Sequence, residues 1–518
     1  MPPGYQFVET YFVFDVKMDL TRKARLVARG SMTEASKEDT FASVVSRDTV
    51  RLFFLLAALN DLDVLSCDIQ NAYLAAPNKE KVWTKFTDQL GPEYAGKRAI
   101  IAKALYGLRS SGRSFRDYLA LNLRELGFVS SKADPDLWLR SAKRPNGDKI
   151  YEYVISYVDD LVFQGIDPKG FMDSLGKRFT LKAGSVKEPD TYLGANVKKF
   201  RIPESDDPDK VRWAFESTSY VTKAITDVER ELAEADMRLL PNARTPLASG
   251  YRPELDISAE LGSRQLNYYQ GLIGILRWIC ELGRLDILMP VSIMSRYLVS
   301  AREGHLEQVF HIFAYLKGHR RSTMVFDDTV PVYKSKRFVK CDWTEFYPEA
   351  SEAIPTNMPE PRGKEVMMSC FVDADHAGCR ETRRSHSGII IFVNRAPILW
   401  FSKRQNTVEA STYGSELLAM RIAIEMIEGL RYKLRMMGVP IVEECAVFCD
   451  NSAVVTNARP ESTLKKKHAA INFHRVREAI AAGTIKVAKE DTSTNLADIL
   501  TKLMPGPKMK ELLESLLW

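Results

Sequence analysis

The sequence predicts a large mixed α/β protein whose elements fall into more than one folding unit. Two β-rich apolar runs flank the adjacent carboxylates Asp159 and Asp160 and predict a hairpin with acids at its tip. Residues 171–179 predict a helix and residues 192–197 predict a strand, and helical patterns dominate between about 217 and 318. From about 365 to 518, the elements follow the order βββαβαβα, which indicates a mixed sheet flanked by helices.

Composition fits a large enzyme with several domains. The 518 residues are enough for two to four domains, and 45% of them are hydrophobic, which suffices to fill their cores. A net charge of +6 permits nucleic-acid binding without requiring it. Seven cysteines without paired CxxC spacing argue against a disulfide framework and against a zinc site. No apolar run reaches the ~18 residues of a membrane span, and no secretory signal is found, so we expect an intracellular protein.

The acids at the predicted hairpin tip are the strongest chemical signal. Adjacent carboxylates repel each other and resist joint ionisation unless a cation lies between them. Oxygen ligands alone favour Mg²⁺, although Asp-Asp is also a common turn pair that needs no metal. Asp68 stands in a similar setting after the strand-like residues 63–67. It is too far along the chain for local structure, so tertiary folding must bring it to Asp159 and Asp160.

These motifs resemble a known family. Asp68-Ile69-Gln70-Asn71-Ala72-Tyr73 followed by Tyr157-Val158-Asp159-Asp160 resembles the polymerase pattern of reverse transcriptases. Three further segments, at 23–30, 41–45 and 105–109, resemble copia-type retrotransposon polyproteins in particular, and the resemblance continues to the C-terminus. It implies a right-hand polymerase, with fingers and palm over residues 1–200 and a helical thumb and connection over residues 201–330.

The resemblance also implies roles for individual residues of the polymerase. Asp68, Asp159 and Asp160 would hold two Mg²⁺ ions, with Mn²⁺ as a substitute, while a DNA primer on an RNA template attacks a deoxynucleoside triphosphate. Lys23 and Arg25 would face the triphosphate, the alternative being a solvated edge strand. Tyr73 would lie beneath the sugar and exclude a ribose 2′-hydroxyl, the alternative being an ordinary core aromatic.

Two features of this region leave alternatives open. Many family members carry Gln-Ala-Pro where this chain has Ser110-Ser111-Gly112, which is either a lineage variant or a change that weakens activity. The cations of the helical region could track a duplex backbone or simply form solvated helix faces. These cations are Arg277, Arg284, Arg296, Lys317, Arg320 and Arg321.

A second set of acids lies in the last domain, residues 365–518, after a breaker-rich segment at 331–364 that we expect to be a linker with few buried contacts. Asp373, Glu416, Asp450 and Asp498 stand at predicted strand ends and helix starts, in motifs that resemble ribonuclease H. The resemblance implies two metal ions per site and cleavage of the RNA strand of an RNA–DNA hybrid. Asp375 is a rival for the first position.

A basic stretch in the same domain has two interpretations. Lys465-Lys466-Lys467-His468, with His474, Arg475 and Arg477 after it, would hold the hybrid backbone or form a solvated helix face.

Two functional hypotheses follow. The first is an RNA- and DNA-templated DNA polymerase with ribonuclease H activity, which forms a C-terminal part of a retroelement polyprotein and works in a cytoplasmic particle with access to the nucleus. The second is a truncated or co-opted fragment that binds nucleic acid without polymerising. The seven intact acids favour the first hypothesis. Ser110 and the short segment before the fingers strands favour the second.

Overall fold

A computed structural model describes residues 3–16, 22–34, 40–203, 207–463 and 469–518. The chain divides into two compact units, one formed by residues 1–53 and 62–189 and the other by residues 54–61 and 190–518. The division falls within helix α1 (Arg47–Leu59), whose second half is the apolar run before the strand that carries Asp68. None of the described helices combines the length and apolarity that crossing a membrane requires.

The first unit is built mainly of antiparallel strands, with three further helices in its described parts. Its strands are β1 (Gln6–Phe7), β2 (Thr10–Val16), β3 (Arg22–Ala28), β4 (Asp63–Asp68), β5 (Val82–Lys85), β6 (Arg98–Ile100), β7 (Val129–Ser130), β8 (Leu137–Lys143), β9 (Lys149–Tyr157) and β10 (Asp160–Gly165). Its helices are α2 (Ala72–Ala75), α3 (Ser111–Glu125) and α4 (Pro168–Gly176).

Strand β10 lies inside a five-stranded sheet of order β4-β10-β9-β8-β7, in which all neighbours are antiparallel. Phe163 of β10 stacks on Phe171 of α4 at a centroid separation of 4.3 Å, which anchors the helix to the sheet. The sequence predicted that α4 spans 171–179. It instead begins at Pro168, because the Asp167 side chain accepts from the Gly170 amide and Pro suits the first helical position.

The second unit contains nine strands and eight helices in its described parts. Its strands are β11 (Thr191–Tyr192), β12 (Ala195–Phe200), β13 (Arg212–Glu216), β14 (Thr323–Val325), β15 (Met368–Ala374), β16 (His386–Val393), β17 (Ala396–Arg404), β18 (Cys445–Cys449) and β19 (Ile485–Lys489). Its helices are α5 (Thr218–Glu234), α6 (Ser263–Glu281), α7 (Leu288–Met294), α8 (Glu303–Gly318), α9 (Thr412–Met436), α10 (Ser452–Asn457), α11 (Ala470–Ala481) and α12 (Gly506–Leu513).

A four-stranded sheet of order β11-β12-β13-β14 opens this unit. The sequence predicted a single strand over 192–197, and this prediction was wrong. The chain reverses at Leu193 and Gly194, whose φ angles are 50° and 86°, so the segment forms the hairpin β11–β12. Two successive left-handed residues are the conformation of a type I′ two-residue hairpin turn, and Leu gives little warning of it.

Helices α5 to α8 occupy the helical region that the sequence predicts between 217 and 318, and their buried faces form one hydrophobic core. Arg284 does not fit the duplex-tracking interpretation. Its side chain is 1% exposed and donates two hydrogen bonds to Asp286, from Nε at 2.9 Å and from Nη2 at 2.6 Å. A guanidinium held in this way is not available to a nucleic-acid backbone.

The last sheet has the order β17-β16-β15-β18-β19, with β15, β18 and β19 parallel and β16 and β17 antiparallel. Helix α9 begins where the Ser411 side chain accepts from the Gly414 amide, and its apolar stripe is buried against the sheet. The predicted order of elements agrees with this arrangement, except at the end of the chain. Asp498 lies in a short 3₁₀ helix, Leu496–Leu500, rather than in the predicted full helix, which follows only as α12.

The segment 331–364 has little regular structure, as its breakers predict, but the expectation of few buried contacts was wrong. Glu352 receives hydrogen bonds from both Arg431 and Arg435 of α9. The rings of Tyr333 and Phe338 lie 5.0 and 5.9 Å from that of Phe448 in β18. The segment is therefore packed along the domain that follows it.

Candidate active sites

The first candidate site lies at the turn between β9 and β10. Tyr157 and Asp160 are paired in register, so Val158 and Asp159 form a two-residue turn, with Val158 at a φ of 58°. Strand β10 also pairs with β4 and places Asp160 directly opposite Asp68. The Ile69 amide donates to the Asp159 carbonyl at 2.9 Å. The structure thus brings together the three acids that the sequence singled out.

Burial and repulsion between neighbouring carboxylates disfavour the charged forms of Asp159 and Asp160. Burial, followed by repulsion from Asp159 and Asp68, raises the pKa of Asp160 to about 6. The pKa of Asp159 is raised as well, mainly by burial. Lys182 is the local counter-ion, because its Nζ lies 2.9 Å from Asp68 Oδ2, and this hydrogen bond raises the lysine pKa. Sequence reasoning missed Lys182.

The three acids are near one another but do not form a closed cluster. Among the residues that the structure describes, the groups whose ligand atoms all lie within 4.8 Å of one another do not include this trio. Gathering the three carboxylates around an ion would require Lys182 to leave Asp68. The lysine side chain is 51% exposed, which leaves it room to do so.

The predicted nucleotide-binding residues lie in the same region. The charge of Lys23 acts on Asp159 and lowers its pKa, against the larger effect of burial. The Arg25 guanidinium lies 5.9 Å from the ring centroid of Tyr106, and that ring lies 4.9 Å from the ring of Tyr73. Burial and then the charge of Asp159 raise the pKa of Tyr73. Tyr106, which sequence reasoning did not select, thus connects Arg25 to Tyr73.

Ser110 is held by Glu80. Its amide and its hydroxyl both donate to Glu80 Oε1, at 2.9 and 2.5 Å, at the start of α3. Gly112 stands where many family members carry the Pro of Gln-Ala-Pro, and it lies near Tyr73. A Cβ atom there would meet the Tyr73 hydroxyl at 4.0 Å and Ala42 Cβ at 3.5 Å, which is ordinary van der Waals contact.

The second candidate site lies at one edge of the last sheet. Asp373 is near the end of β15 and Asp450 directly follows β18, and because these strands are parallel their carboxyl ends meet at the same edge. Glu416 comes from the start of α9 and Asp498 from the 3₁₀ helix. Ligand oxygens of Asp373, Asp450 and Asp498 all lie within 4.8 Å of one another. All four acids that the sequence predicts are therefore brought together.

The chemistry of this acid set fits a divalent cation. Burial, followed by the charges of Asp373 and Asp450, raises the pKa of Glu416 to about 10. Its Oε2 is buried and has no hydrogen-bond partner among the described residues. The same causes, with Asp373 as the main neighbouring charge, raise the pKa of Asp498 to about 6. A buried oxygen without a partner among crowded carboxylates is the environment that an oxygen-liganded Mg²⁺ or Mn²⁺ ion would satisfy.

A second potential ligand set pairs Glu416 and Asp450 with the thiol of Cys449. Burial raises the pKa of Cys449 well above its usual range, which keeps the thiol protonated and makes it a poor ligand. Asp375, the rival for the first position, belongs to neither set among the residues described. It accepts a hydrogen bond from the His386 amide of β16 instead. The geometry therefore favours Asp373.

Two residues that sequence reasoning missed contact the acids of this site. Lys502 Nζ lies 2.8 Å from Asp498 Oδ1 and 3.2 Å from Asp373 Oδ1, and the Thr501 hydroxyl donates to Asp373 Oδ2. Although burial lowers the pKa of Lys502, the two carboxylates raise it above its usual value. The spacing of four residues between Asp498 and Lys502 was the available signal.

The basic stretch of this domain supports its nucleic-acid interpretation only weakly. Lys465, Lys466, Lys467 and His468 lie outside the described residues. Arg477 is 3% exposed, and its guanidinium lies 4.7 Å from the ring of Phe473 and 5.1 Å from that of Trp343. It is therefore a structural cation rather than a backbone contact.

The chain matches several known proteins. Residues 1–225 match the family described as "Reverse transcriptase (RNA-dependent DNA polymerase)". The chain is 26% identical over 490 residues to "Retrovirus-related Pol polyprotein from transposon RE1" of Arabidopsis thaliana, which covers 93% of this chain and 29% of that protein. It is 25% identical over 529 residues to "Retrovirus-related Pol polyprotein from transposon TNT 1-94" of Nicotiana tabacum. This match covers 98% of this chain and 35% of that protein.

Residues 1–225 are thus similar to reverse transcriptases. Nearly the whole chain is similar to the Pol polyproteins of copia-type retrotransposons, which confirms the resemblance of its motifs. The chain spans only about a third of the length of these curated relatives.

Solved structures of ribonucleases H also match parts of the chain. "Crystal structure of LC11-RNase H1 in complex with RNA/DNA hybrid" is 15% identical, covers 26% of this chain and 93% of its own, and has a TM-score of 0.22. The N-terminal RNase H domain of rv2228c from Mycobacterium tuberculosis is 12% identical and has a TM-score of 0.21. This match covers 29% of this chain and 98% of that domain's chain.

Proposed function

We propose that this chain is a reverse transcriptase that copies RNA and DNA templates into DNA and cleaves the RNA strand of the resulting hybrid. The observation that carries the proposal is the presence of two separate carboxylate sites. One forms where Asp160 pairs opposite Asp68, and the other forms where Asp373, Asp450 and Asp498 converge. Each contains acids whose pKa is raised by burial and by its neighbours, as expected where divalent cations are to be held.

In the polymerase, Asp68, Asp159 and Asp160 would hold the metal ions. Lys23 and Arg25 of β3 bind the triphosphate through charge-assisted hydrogen bonds. Tyr73, supported by the ring of Tyr106, closes the space that a 2′-hydroxyl would occupy. The sheet that carries the acids is the palm of a right-hand polymerase, with the fingers also inside residues 1–200 and the thumb and connection in residues 201–330.

In the nuclease, Asp373, Glu416, Asp450 and Asp498 would hold the metal ions over residues 365–518. Divalent cations at either site would supply the same chemistry, since they lower the pKa of the attacking hydroxyl or water and neutralise charge on the phosphate. Lys502 keeps Asp373 and Asp498 together before an ion arrives. The substrates are an RNA template, a DNA primer, deoxynucleoside triphosphates and an RNA–DNA hybrid.

Both activities can be tested on one preparation of the full chain. Extension of a DNA primer on an RNA template and loss of the RNA from a labelled hybrid are measured with Mg²⁺, and again after chelation. Both activities should require the ion. A chain that binds primer–template but extends nothing would support the alternative of a fragment that binds nucleic acid without polymerising.

A further inference from the structure

A cavity of about 390 Å³ adjoins the second acid site, and its lining includes Lys502 and four arginines. Lys502 belongs to both places, since it lines the cavity and contacts Asp373 and Asp498. Arg252 and Arg296 reach the cavity from the helical region before β14, whereas Arg384 and Arg404 come from the β15–β16 loop and from β17. The wall is thus shared by two parts of the chain that the sequence assigns to different domains.

The four arginines of this wall, named here the arginine pocket, differ from three buried arginines of the same unit. Arg284, Arg212 and Arg431 are each held by carboxylates. Within the described ranges, none of the four pocket arginines forms an ion pair, and the buried Nε of Arg296 lacks a hydrogen-bond partner. Of the two acids in the wall, Glu254 accepts from the Arg380 amide and Asp375 from the His386 amide. Because four arginines outnumber these two acids, the pocket carries an excess of positive charge.

Neighbouring groups respond to this charge. The Cys379 thiol lies between two guanidinium groups, with its Sγ at 3.7 Å from Arg296 Nη2 and 3.9 Å from Arg404 Nη1. Although burial raises the pKa of Cys379, hydrogen bonds from Thr382 and the two arginines lower it overall. Burial, then Arg296 and Arg404, lower the pKa of His386 to about 3. Both effects indicate that two guanidinium groups converge on one point of the pocket.

We propose that the arginine pocket binds a backbone phosphate of the nucleic acid held at the nuclease site. Paired guanidinium groups match the geometry of a phosphate, and an anion there would satisfy both the excess charge and the free Nε of Arg296. The inference rests on the proposed nuclease function only for the identity of the polyanion, an RNA–DNA hybrid. Because Arg252 and Arg296 lie outside residues 365–518, the pocket makes the helical region part of substrate binding by the nuclease.

The test measures binding of a fluorescently labelled RNA–DNA hybrid to the full chain by anisotropy, without divalent ions and at increasing KCl. Arg296→Met and Arg404→Met should each weaken binding roughly tenfold and lower the slope of log affinity against log salt by about 1, because one phosphate contact is lost. Arg296→Lys should restore the slope. Arg230→Met is the matched control, since this arginine is on the surface of α5 and pairs with Asp227. If the pocket variants keep the slope of the control, the proposal is overturned.

A second arm identifies the strand. Single neutral methylphosphonate linkages are placed in turn along the DNA strand and along the RNA strand of the hybrid. At one position, the methylphosphonate should weaken binding of the hybrid to the wild type. It should not weaken binding to Arg296→Met any further, because this variant already lacks the same contact. If the loss of affinity from the methylphosphonate and the loss from Arg296→Met add at every position, Arg296 contacts no phosphate.

Cleavage separates this proposal from the proposed nuclease. The pocket variants should raise the KM for hybrid more than they lower kcat, since the arginines hold substrate rather than the cleaved bond. If the wild type cleaves no hybrid, the nuclease function fails while the anisotropy arms still decide the pocket. If cleavage is intact but neither pocket arginine affects affinity or slope, the pocket proposal alone fails.

Discussion

Asp160 of β10 lies directly opposite Asp68 of β4 in the register of two antiparallel strands. The pairing holds two carboxylates at the end of a buried sheet, and the two-residue turn before Asp160 adds Asp159. Burial and these neighbouring acids raise the pKa of Asp160 to about 6, which is the electrostatic observation behind the proposed metal site.

The first prediction concerns Asp159. Asp159→Asn keeps the shape of the side chain and removes one of the charges proposed to hold metal. Primer extension on an RNA template should fall by on the order of 100-fold or more, while hybrid cleavage by the same preparation remains. Asp173→Asn, an acid of α4 outside the site, serves as the control. Undiminished extension by Asp159→Asn would contradict the assignment of the polymerase site.

The second prediction concerns Tyr73. If its ring excludes the 2′-hydroxyl, Tyr73→Ala should lower the preference for deoxynucleotides over ribonucleotides on the order of tenfold or more. Tyr73→Phe is the matched control, because it keeps the ring and its contacts with Tyr106 and Phe115. Incorporation of both nucleotide types is measured for the three proteins. An unchanged ratio in Tyr73→Ala would make Tyr73 an ordinary packing residue.

The resemblance to reverse transcriptases and ribonucleases H selected both sets of acids, and several of them, such as Asp160, Asp373 and Asp450, also stand at the ends of recognisable strands. The lysines that neutralise them were harder to find. Lys182 reaches Asp68 through tertiary structure, since its own amide also donates to the Asp68 carbonyl, and no local pattern relates two residues so far apart. Lys502 could have been selected from its spacing to Asp498, but such pairs are common on solvated helices.

Other features depend on tertiary structure that the pattern of residue types does not encode. The burial of Arg284 against Asp286 looks in sequence like any charged pair between helices. The reversal at Leu193 places a Leu at a φ of 50°, a conformation that its side chain disfavours and that packing must impose. The segment 331–364 contains the expected breakers, yet Arg431 and Arg435 of a distant helix bind its Glu352.

The third prediction concerns Glu416 and Asp450. Glu416→Gln and Asp450→Asn should each abolish cleavage of the RNA in a hybrid and leave primer extension largely intact. Because the pKa of Glu416 is raised to about 10, the neutral amide resembles the protonated acid, and stability without metal should be unchanged. The stabilisation that added Mg²⁺ gives the wild type should disappear.

The readouts for this third prediction are hybrid cleavage, primer extension and denaturant unfolding with and without Mg²⁺. Glu425→Gln on the exposed side of the same helix is the control, since it disturbs only its pair with Arg421. If both site variants still cleave RNA in the full chain, the second site is not a nuclease.

The last prediction concerns the segment 331–364. Glu352 accepts hydrogen bonds from Arg431 Nε at 2.6 Å and from Arg431 Nη2 at 2.8 Å, and it is also bound by Arg435. Although burial raises the pKa of Glu352, these arginines lower it from 4.5 to about 2. A folded-state pKa below the unfolded one means that the carboxylate stabilises the fold above about pH 4.5, and that this contribution is lost as pH falls toward about 2.

The lowering of the Glu352 pKa from 4.5 to about 2 corresponds to a free energy on the order of 3 kcal/mol. Glu352→Gln should therefore lower the free energy of unfolding by an amount of that order at neutral pH, and the difference from wild type should shrink steadily as pH falls below about 4.5. It should also speed proteolysis within 331–364, because the segment loses its bond to α9. Glu349→Gln, three residues earlier and exposed, is the control. A difference between Glu352→Gln and wild type that stays constant with pH would mean that the charge of Glu352 does not anchor the segment.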